Sequence, residues 1–276
     1  MQGITLKCKF LFSKRALSIP VTFLMLFVAM LGIISVTYYF AIEQVNSRSG
    51  MLKIATARQD MLALNENILQ LIGLPGSART FEISDSGGRI NIQPDSNILT
   101  LSVNDGREIA DTIFNETVGQ IIYELPFSET ADTGVFLKGD SRTIVSQSGA
   151  TITQLFIARG NQNAEILLRY RPKVSSVAAS VENGRAVNNI RIYTVNLNTS
   201  ESIALYGKVP LRMSCSSTEV ASFTYELSYA PETLTVTSIL GGSSGSVNIP
   251  IISTPSGAVI NVELVTCNIT IQRWIR

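Results

Sequence analysis

The pattern of apolar and polar residues divides the chain into three consecutive parts. Residues 17–42 carry no charge, and in residues 43–74 charged residues return while the apolar residues keep a helical spacing. From residue 79 to residue 276, short runs of β-branched residues alternate with turn-forming residues. A helical period that gives way to a two-residue period predicts one long N-terminal helix followed by a β-rich head.

The uncharged segment is long enough to cross a membrane as a helix. A bilayer core requires about 20 apolar residues, and residues 17–42 exceed that length. Basic residues lie in the segment 1–15 and Glu43 follows the helix, so the positive-inside rule places the N-terminus in the cytoplasm and the head outside. A removable secretory signal peptide has an apolar region of about 7 to 15 residues and a small-residue cleavage site, and neither condition is met.

Residues 43–74 are predicted to continue the helix with one apolar stripe. The stripe follows spacings of three and four residues and consists of Ile54, Ala57, Met61, Leu64, Ile68 and Leu71. Its width suits packing against the chain's own head or against neighbouring copies better than a free two-stranded coiled coil. The segment Gly73-Leu74-Pro75-Gly76 predicts the end of the helix.

The head, residues 79–276, is predicted to be a β-sandwich or barrel. The candidate strands are residues 80–83, 89–92, 98–103, 119–125, 134–137, 151–157, 165–170, 190–197, 203–206, 223–229, 233–239, 247–251 and 258–271. Turn signals separate them, of which Asn104-Asp105-Gly106 and Asn183-Gly184 are the strongest. Two sandwiches are the alternative, with a seam near residues 171–189, because that stretch is poor in large apolar side chains.

Charge and cysteine content indicate the surroundings of the head. The chain has 22 basic and 21 acidic residues, so nucleic acid is not an expected partner. The basic run 169–173 is interpreted as a solvated strand end closed by proline. The topology places Cys8 inside and both Cys215 and Cys267 outside, where an oxidising compartment favours a disulfide between the latter two. Two buried free thiols are the alternative.

The head carries three sequons and no motif of a known catalytic class. Asn115, Asn198 and Asn268 each begin an N-x-S/T triplet and are candidate glycosylation sites. The chain contains no histidine, which excludes a Ser-His-Asp site and histidine-ligated zinc. Residues 241–245 match a nucleophile-elbow pattern but lack the strand-to-helix context. No enzyme, cofactor or metal is therefore expected, although the scattered carboxylates leave an ectoenzyme as the least favoured class.

The order of these parts resembles the archaeal type IV pilin-like proteins, the superfamily that includes the archaeal flagellins. The resemblance rests on the basic leader, residues 1–16, which ends in Lys14-Arg15-Ala16 directly before Leu17 and the uncharged helix. In that family a prepilin peptidase cuts class III leaders after a small residue that follows a basic one. The resemblance therefore implies cleavage between Ala16 and Leu17.

This resemblance also implies the function and the partners. Val21 occupies the position where bacterial pilins carry a glutamate, so the likeness is to the archaeal members. It implies a structural subunit of a cell-surface filament that is anchored in membrane lipid before assembly. Its partners would be the prepilin peptidase, the pilus assembly platform and the N-terminal helices of other copies. The alternative is a single-pass surface or adhesion protein that does not polymerise and whose β-head binds a partner.

Overall fold

The computed structural model describes residues 18–125, 134–160 and 163–275 of the chain. Two compact units are present, residues 1–52 and residues 53–276. Helix α1, Ser18–Leu69, begins in the first unit and ends in the second. The second unit continues as two β-sheets. The predicted fold class, one long N-terminal helix followed by a mainly β head, is confirmed.

The second unit begins with the last turns of α1, and the apolar stripe is its buried face. All six stripe residues are buried, and five of them are at most 1% exposed. They belong to one hydrophobic cluster with side chains from both sheets. Of the two packings that the stripe left open, burial against the chain's own head is the one observed. Helix α1 ends at Leu69, and a turn leads from it to the predicted stop at Gly73, whose φ of 75° is a left-handed conformation that favours glycine.

Two polar side chains fix the position of this helical segment in the head. The buried Asn65 accepts hydrogen bonds at its Oδ1 from Thr153 Oγ1 at 2.8 Å and from Tyr170 OH at 3.3 Å. Burial raises the pKa of Tyr170, so its hydroxyl remains a donor. Asp60 Oδ2 accepts a bond from the backbone N–H of Ser84 at 2.8 Å. Because such bonds form in only one alignment, they set the rotation and axial position of the helix.

The strands of the head form two sheets. They are β1 Ala78–Ile83, β2 Arg89–Asn104, β3 Ala110–Glu124, β4 Phe136–Lys138, β5 Thr153–Arg159, β6 Ala164–Tyr170, β7 Lys173–Glu182, β8 Arg185–Asn196, β9 Ile203–Tyr206, β10 Val209–Leu227, β11 Thr233–Leu240, β12 Ser243–Pro250 and β13 Ala258–Arg273. The five-stranded sheet has the order β1-β10-β13-β8-β7, and the eight-stranded sheet has the order β12-β11-β2-β3-β6-β5-β4 with β9 beside β2. Among the described strands, β13 and β8 pair in parallel and the other neighbours are antiparallel.

The buried side chains of the two sheets form two clusters, and a long strand contributes one end to each cluster. Strand β2, for example, supplies Ile90 and Ile92 to the cluster that contains α1 and supplies Leu101 and Val103 to the other. The proposed seam near residues 171–189 is corrected by the structure. Those residues form β7 and the start of β8, which are adjacent hydrogen-bonded strands of the five-stranded sheet.

Several predicted strands are longer or joined in the structure. The candidates 89–92 and 98–103 are one strand, β2, whose pairing with β3 is irregular around Pro94, a residue without an N–H donor. Strand β10 begins 14 residues before the predicted residue 223, at Val209. The turn at Asn183-Gly184 is confirmed, because both residues have positive φ, 49° and 77°, and join β7 to β8.

Truncation of the buried helix face should destabilise the head. We expect Leu64→Ala to lower the free energy of unfolding by about 2–5 kcal/mol, because it leaves a cavity in the cluster. The control is Gln59→Ala on the exposed side of the same helix, which should stay within about 0.5 kcal/mol of the unchanged chain. Urea unfolding of the full chain in detergent, followed by the fluorescence of its single tryptophan, measures both. Equal midpoints for the two variants would contradict the packing.

Candidate functional sites of the helix and the head

The first unit presents an apolar surface to its surroundings. Every large apolar side chain from Val21 to Leu52 is exposed. The helix contains an 18-residue window that is long and apolar enough to cross a membrane, and none of that window is buried inside the protein. Apolar side chains on all sides of a helix require lipid or other helices around them. This surface is therefore the leading candidate for a functional site.

Polar groups within this apolar segment are satisfied by the helix itself. Ser35 Oγ donates to the carbonyl of Leu31, and Thr37 Oγ1 donates to the carbonyl of Ile33, each at 2.8 Å. These bonds remove the cost of placing the two hydroxyls in a medium without water. The exposed aromatic residues 38–40 follow directly, at a position typical of the interfacial anchors of membrane helices.

The described part of α1 starts at Ser18, close to the predicted cleavage site. In a mature chain that begins at Leu17, Pro20 would lie in the first turn, where its missing N–H has no partner to lose. The predicted cleavage residues Ala16 and Leu17 lie outside the described residues, as does the rest of the leader. Cleavage therefore stays a prediction.

The two cysteines of the head lie side by side, as the predicted disulfide requires. Cys215 on β10 and Cys267 on β13 are both buried, and their Sγ atoms lie 3.5 Å apart as free thiols. An irregularity in the pairing between Cys215 and Ser217 lies beside this contact. Burial raises the pKa of the Cys267 thiol to about 11, so this thiol is protonated at neutral pH. The proximity is observed, and the disulfide bond stays a prediction.

The three sequons differ in accessibility. Asn115 is exposed on β3, and Asn198 is half-buried just after β8. Asn268 is buried, and its Nδ2, the atom that would carry a glycan, donates to Ser217 Oγ at 2.9 Å and to Glu219 Oε1 at 2.7 Å. The expectation for Asn268 is therefore corrected, because the folded head does not offer its amide nitrogen. Glycosylation at the other two positions stays a prediction.

The basic run 169–173 is not a solvated strand end. The Arg171 side chain is fully buried and forms an ion pair with Asp140. Its Nη1 also donates to the carbonyl of Arg142 at 2.7 Å, and its Nε donates to the carbonyl of Thr151 at 3.1 Å. The sequence interpretation is wrong here because a loop that precedes β5 folds over the strand end and supplies oxygen acceptors.

This loop, residues 139–152, is called the pinned loop because several side chains from outside it bind its carbonyls. Lys173 Nζ donates to the carbonyls of Ser148 and Ala150 at 2.9 and 3.2 Å. Gln154 Nε2 donates to two further carbonyls of the loop at 2.9 Å each. Together with Arg171, these donors hold an irregular segment in one conformation.

Two clefts of the head differ in how their polar groups are used. A cleft of about 400 Å³ lies between the pinned loop and β12. Another of about 350 Å³ lies on β7, β8 and β13. In the latter, Arg191 Nε donates to Glu263 Oε2 at 2.7 Å, and Asn189 Oδ1 accepts from Asn261 Nδ2 at 3.1 Å. Three polar side chains of this lining, Asn189, Arg191 and Glu263, are thus already bound within the protein, which makes the first cleft the better candidate for a ligand site.

The described residues and the comparisons with known proteins give no further indication of an activity. Within residues 18–125, 134–160 and 163–275, no three His, Cys, Asp or Glu side chains are grouped to hold a metal ion. No protein-family model, curated protein or solved structure matches this chain. Function has to follow from the chain's own side chains.

Sequence reasoning missed the polar residues that organise the head. Asn65 interrupts an otherwise apolar helix face next to Leu64, and that interruption is a signal for a buried polar contact. Arg171 stands directly before a proline at a strand end, and nothing local distinguishes it from an exposed arginine. The cleft at β12 depends on a loop about 100 residues earlier in the chain, so no local pattern indicates it.

The ion pairs of Asp140 should make the stability of the head depend on pH. Hydrogen bonds from Arg142 and Arg171 hold the pKa of this carboxyl well below its ordinary value of 3.8. The ion pairs of Asp140 therefore stabilise the fold fully above pH 3.8, and this stabilisation is lost as the pH falls below that value. We expect Asp140→Asn to reduce the loss of thermal stability between about pH 5 and about pH 2.

The matched control for this prediction is Asp95→Asn. Asp95 is exposed and accepts one long bond, at 3.4 Å, from Thr117 Oγ1. The control should keep the pH dependence of the unchanged protein, measured as the melting temperature across the same range. Identical curves for Asp140→Asn and the control would show that the Asp140 ion pairs do not stabilise the fold.

Proposed function

We propose that this chain is a pilin-like structural subunit of an archaeal cell-surface filament. The observation that carries the proposal is the continuous exposure of apolar side chains from Val21 to Ile42, on a helix that continues into a folded head. Such a surface needs lipid or other helices. The same segment serves both needs in turn, first as the membrane anchor of the single subunit and then as part of a helical filament core.

The topology and processing follow from the same proposal. The basic leader, residues 1–16, stays in the cytoplasm and the head lies outside the cell. A prepilin peptidase cuts between Ala16 and Leu17, and the assembly platform then transfers the subunit into the filament. Support comes from the basic pair Lys14-Arg15 directly before Ala16 and from Pro20, which would lie in the first helical turn of a mature chain that begins at Leu17.

The first test is the N-terminus of the native protein. Intact-mass analysis should find a chain that begins at Leu17. Changing both Lys14 and Arg15 to Gln should block the cut, because the residues that precede it no longer match the class III pattern. The matched control changes Lys7 and Lys9 to Gln, which removes the same charge farther from the cut and should leave processing intact.

Two results would overturn the filament proposal. One is a native chain that retains residues 1–16 in full. The other is a processed chain that is absent from filaments sheared off the cell surface and examined by electron microscopy. Either result would favour the second candidate function, a single-pass surface or adhesion protein, for which the open cleft of the head is the supporting observation.

Membrane insertion has a separate test. We expect Leu26→Arg to impair membrane integration, because a charge near the bilayer midplane costs about 3 kcal/mol on insertion scales. The control is Leu52→Arg, an equally exposed position of the same helix that lies beyond Glu43, outside the uncharged segment. Alkaline extraction of membranes should release the first variant and retain the second. Full retention of Leu26→Arg would contradict the proposed span.

A further inference from the structure

We propose that the cleft between the pinned loop and β12 binds a neutral saccharide, of the hexose or N-acetylhexosamine type. This proposal is independent of whether the chain assembles into filaments, because it concerns the head alone. The cleft has a volume of about 400 Å³, which lies within the usual range of small-ligand sites.

Open hydrogen-bonding groups are the first argument. The serines Ser141, Ser146, Ser243, Ser244 and Ser246 line the cleft. In the part of the chain that the structure describes, none of their hydroxyls has a hydrogen-bond partner. A serine hydroxyl both donates and accepts. A dense set of such groups is therefore complementary to a ligand whose own surface consists of hydroxyls.

Two amide side chains add donors to this set. Gln147 Oε1 accepts from Arg142 Nη1 at 3.3 Å, and Asn248 Oδ1 accepts from Thr235 Oγ1 at 3.0 Å. Each amide thus uses its oxygen within the protein. Among the described residues, the amide nitrogens of Gln147 and Asn248 have no acceptor, so both remain available as donors to a ligand.

The charge balance of the cleft favours a neutral ligand. Arg142 is the charged residue of the lining. Its Nη2 lies 2.7 Å from Asp140 Oδ2, and its Nε donates to Asp140 Oδ1 at 3.1 Å. Because Asp140 already pairs with Arg142, the charge of the lining is balanced within the protein, and no unpaired cation favours an acidic ligand. Ile144 and Val247 contribute the apolar contacts that the C–H faces of a sugar ring require.

The walls of the cleft are built before any ligand binds. Arg171, Lys173 and Gln154 hold the pinned loop from outside. At the floor, β12 approaches this loop so closely that a Cβ on Gly245 would lie 2.6 Å from Thr143 Oγ1. A preformed site pays little ordering cost on binding. Even the weak hydrogen bonds of a saccharide can therefore give a measurable affinity.

An extended peptide is the competing ligand class at this place. Strand β12 pairs with β11 on one side, and its free edge could add a peptide strand. Such peptides gain specificity from pockets for alternate side chains, whereas β12 offers mainly serine, glycine and asparagine. The side chains of the cleft thus fit a saccharide better than a peptide.

The experiment measures saccharide binding to the full chain in detergent. The probes are maltose, cellobiose, lactose, mannobiose and N,N′-diacetylchitobiose, each tested by saturation-transfer NMR and titrated up to about 10 mM, above the Kd of a weak millimolar ligand. We expect at least one of them to bind. Failure of the whole panel would overturn the proposal, and so would capture of extended peptides by β12 without any saccharide binding.

Two variants test whether the saccharide binds in this cleft. Ser246→Tyr should abolish binding by filling the cleft, whereas Ser222→Tyr, an exposed serine on β10, should leave it unchanged. Combined Gln147→Ala and Asn248→Ala should weaken binding about tenfold or more, through the loss of two hydrogen bonds. Unchanged melting temperatures show that the variants are folded. Saccharide binding that survives Ser246→Tyr would place the ligand elsewhere and overturn the assignment.

Discussion

The burial of the apolar stripe from Ile54 to Leu71, at the end of α1 and in the turn after it, is the interaction on which the rest of the head depends. Each large side chain of that stripe contributes about 1.5–3 kcal/mol by leaving water. The same cluster contains buried residues from both sheets, so the helix is a part of the core rather than an attachment to it. The end of the helix and the head consequently form one compact unit from Lys53 onward.

Apolar burial supplies the energy of this packing, and a few polar contacts supply its alignment. An apolar stripe can slide or rotate by a small amount at little cost. The bonds of Asn65 to Thr153 and Tyr170 form in one alignment only. The pinned loop is likewise aligned by polar contacts, because the buried side chains of Arg171 and Gln154 and the half-buried Lys173 fix a segment that has no regular secondary structure.

The local patterns of the sequence predicted the parts of the fold that local physics determines. The helical spacing of the stripe identified its buried residues one by one, and Asn183-Gly184 identified the β7–β8 turn. Strand β7 was missed because its residues are mostly small and polar, as befits an edge strand with much exposed surface. The first half of β10 was missed although Val209, Leu211, Met213 and Cys215 follow the two-residue period of a half-buried strand.

Long-range contacts account for what the sequence could not predict. The parallel pairing of β13 with β8, the burial of Arg171 and the approach of Gly245 to Thr143 each join segments about 30 to 100 residues apart. The pattern of residues within one segment does not indicate which distant segment packs on it. For the same reason the candidate saccharide cleft has no signature in the sequence, although the apolar helix is evident from it.

The central position of β13 limits when the head can form. This last strand of the chain lies between β10 and β8 in the five-stranded sheet, and it contributes to both hydrophobic clusters. Both β8 and β10 precede β13 in the sequence, so they are synthesised before their common neighbour. Until it arrives, β10 and β8 have no common neighbour and both clusters are open to water. The five-stranded sheet is therefore completed late, and until β13 pairs, the edges of β8 and β10 that it covers are open to aggregation.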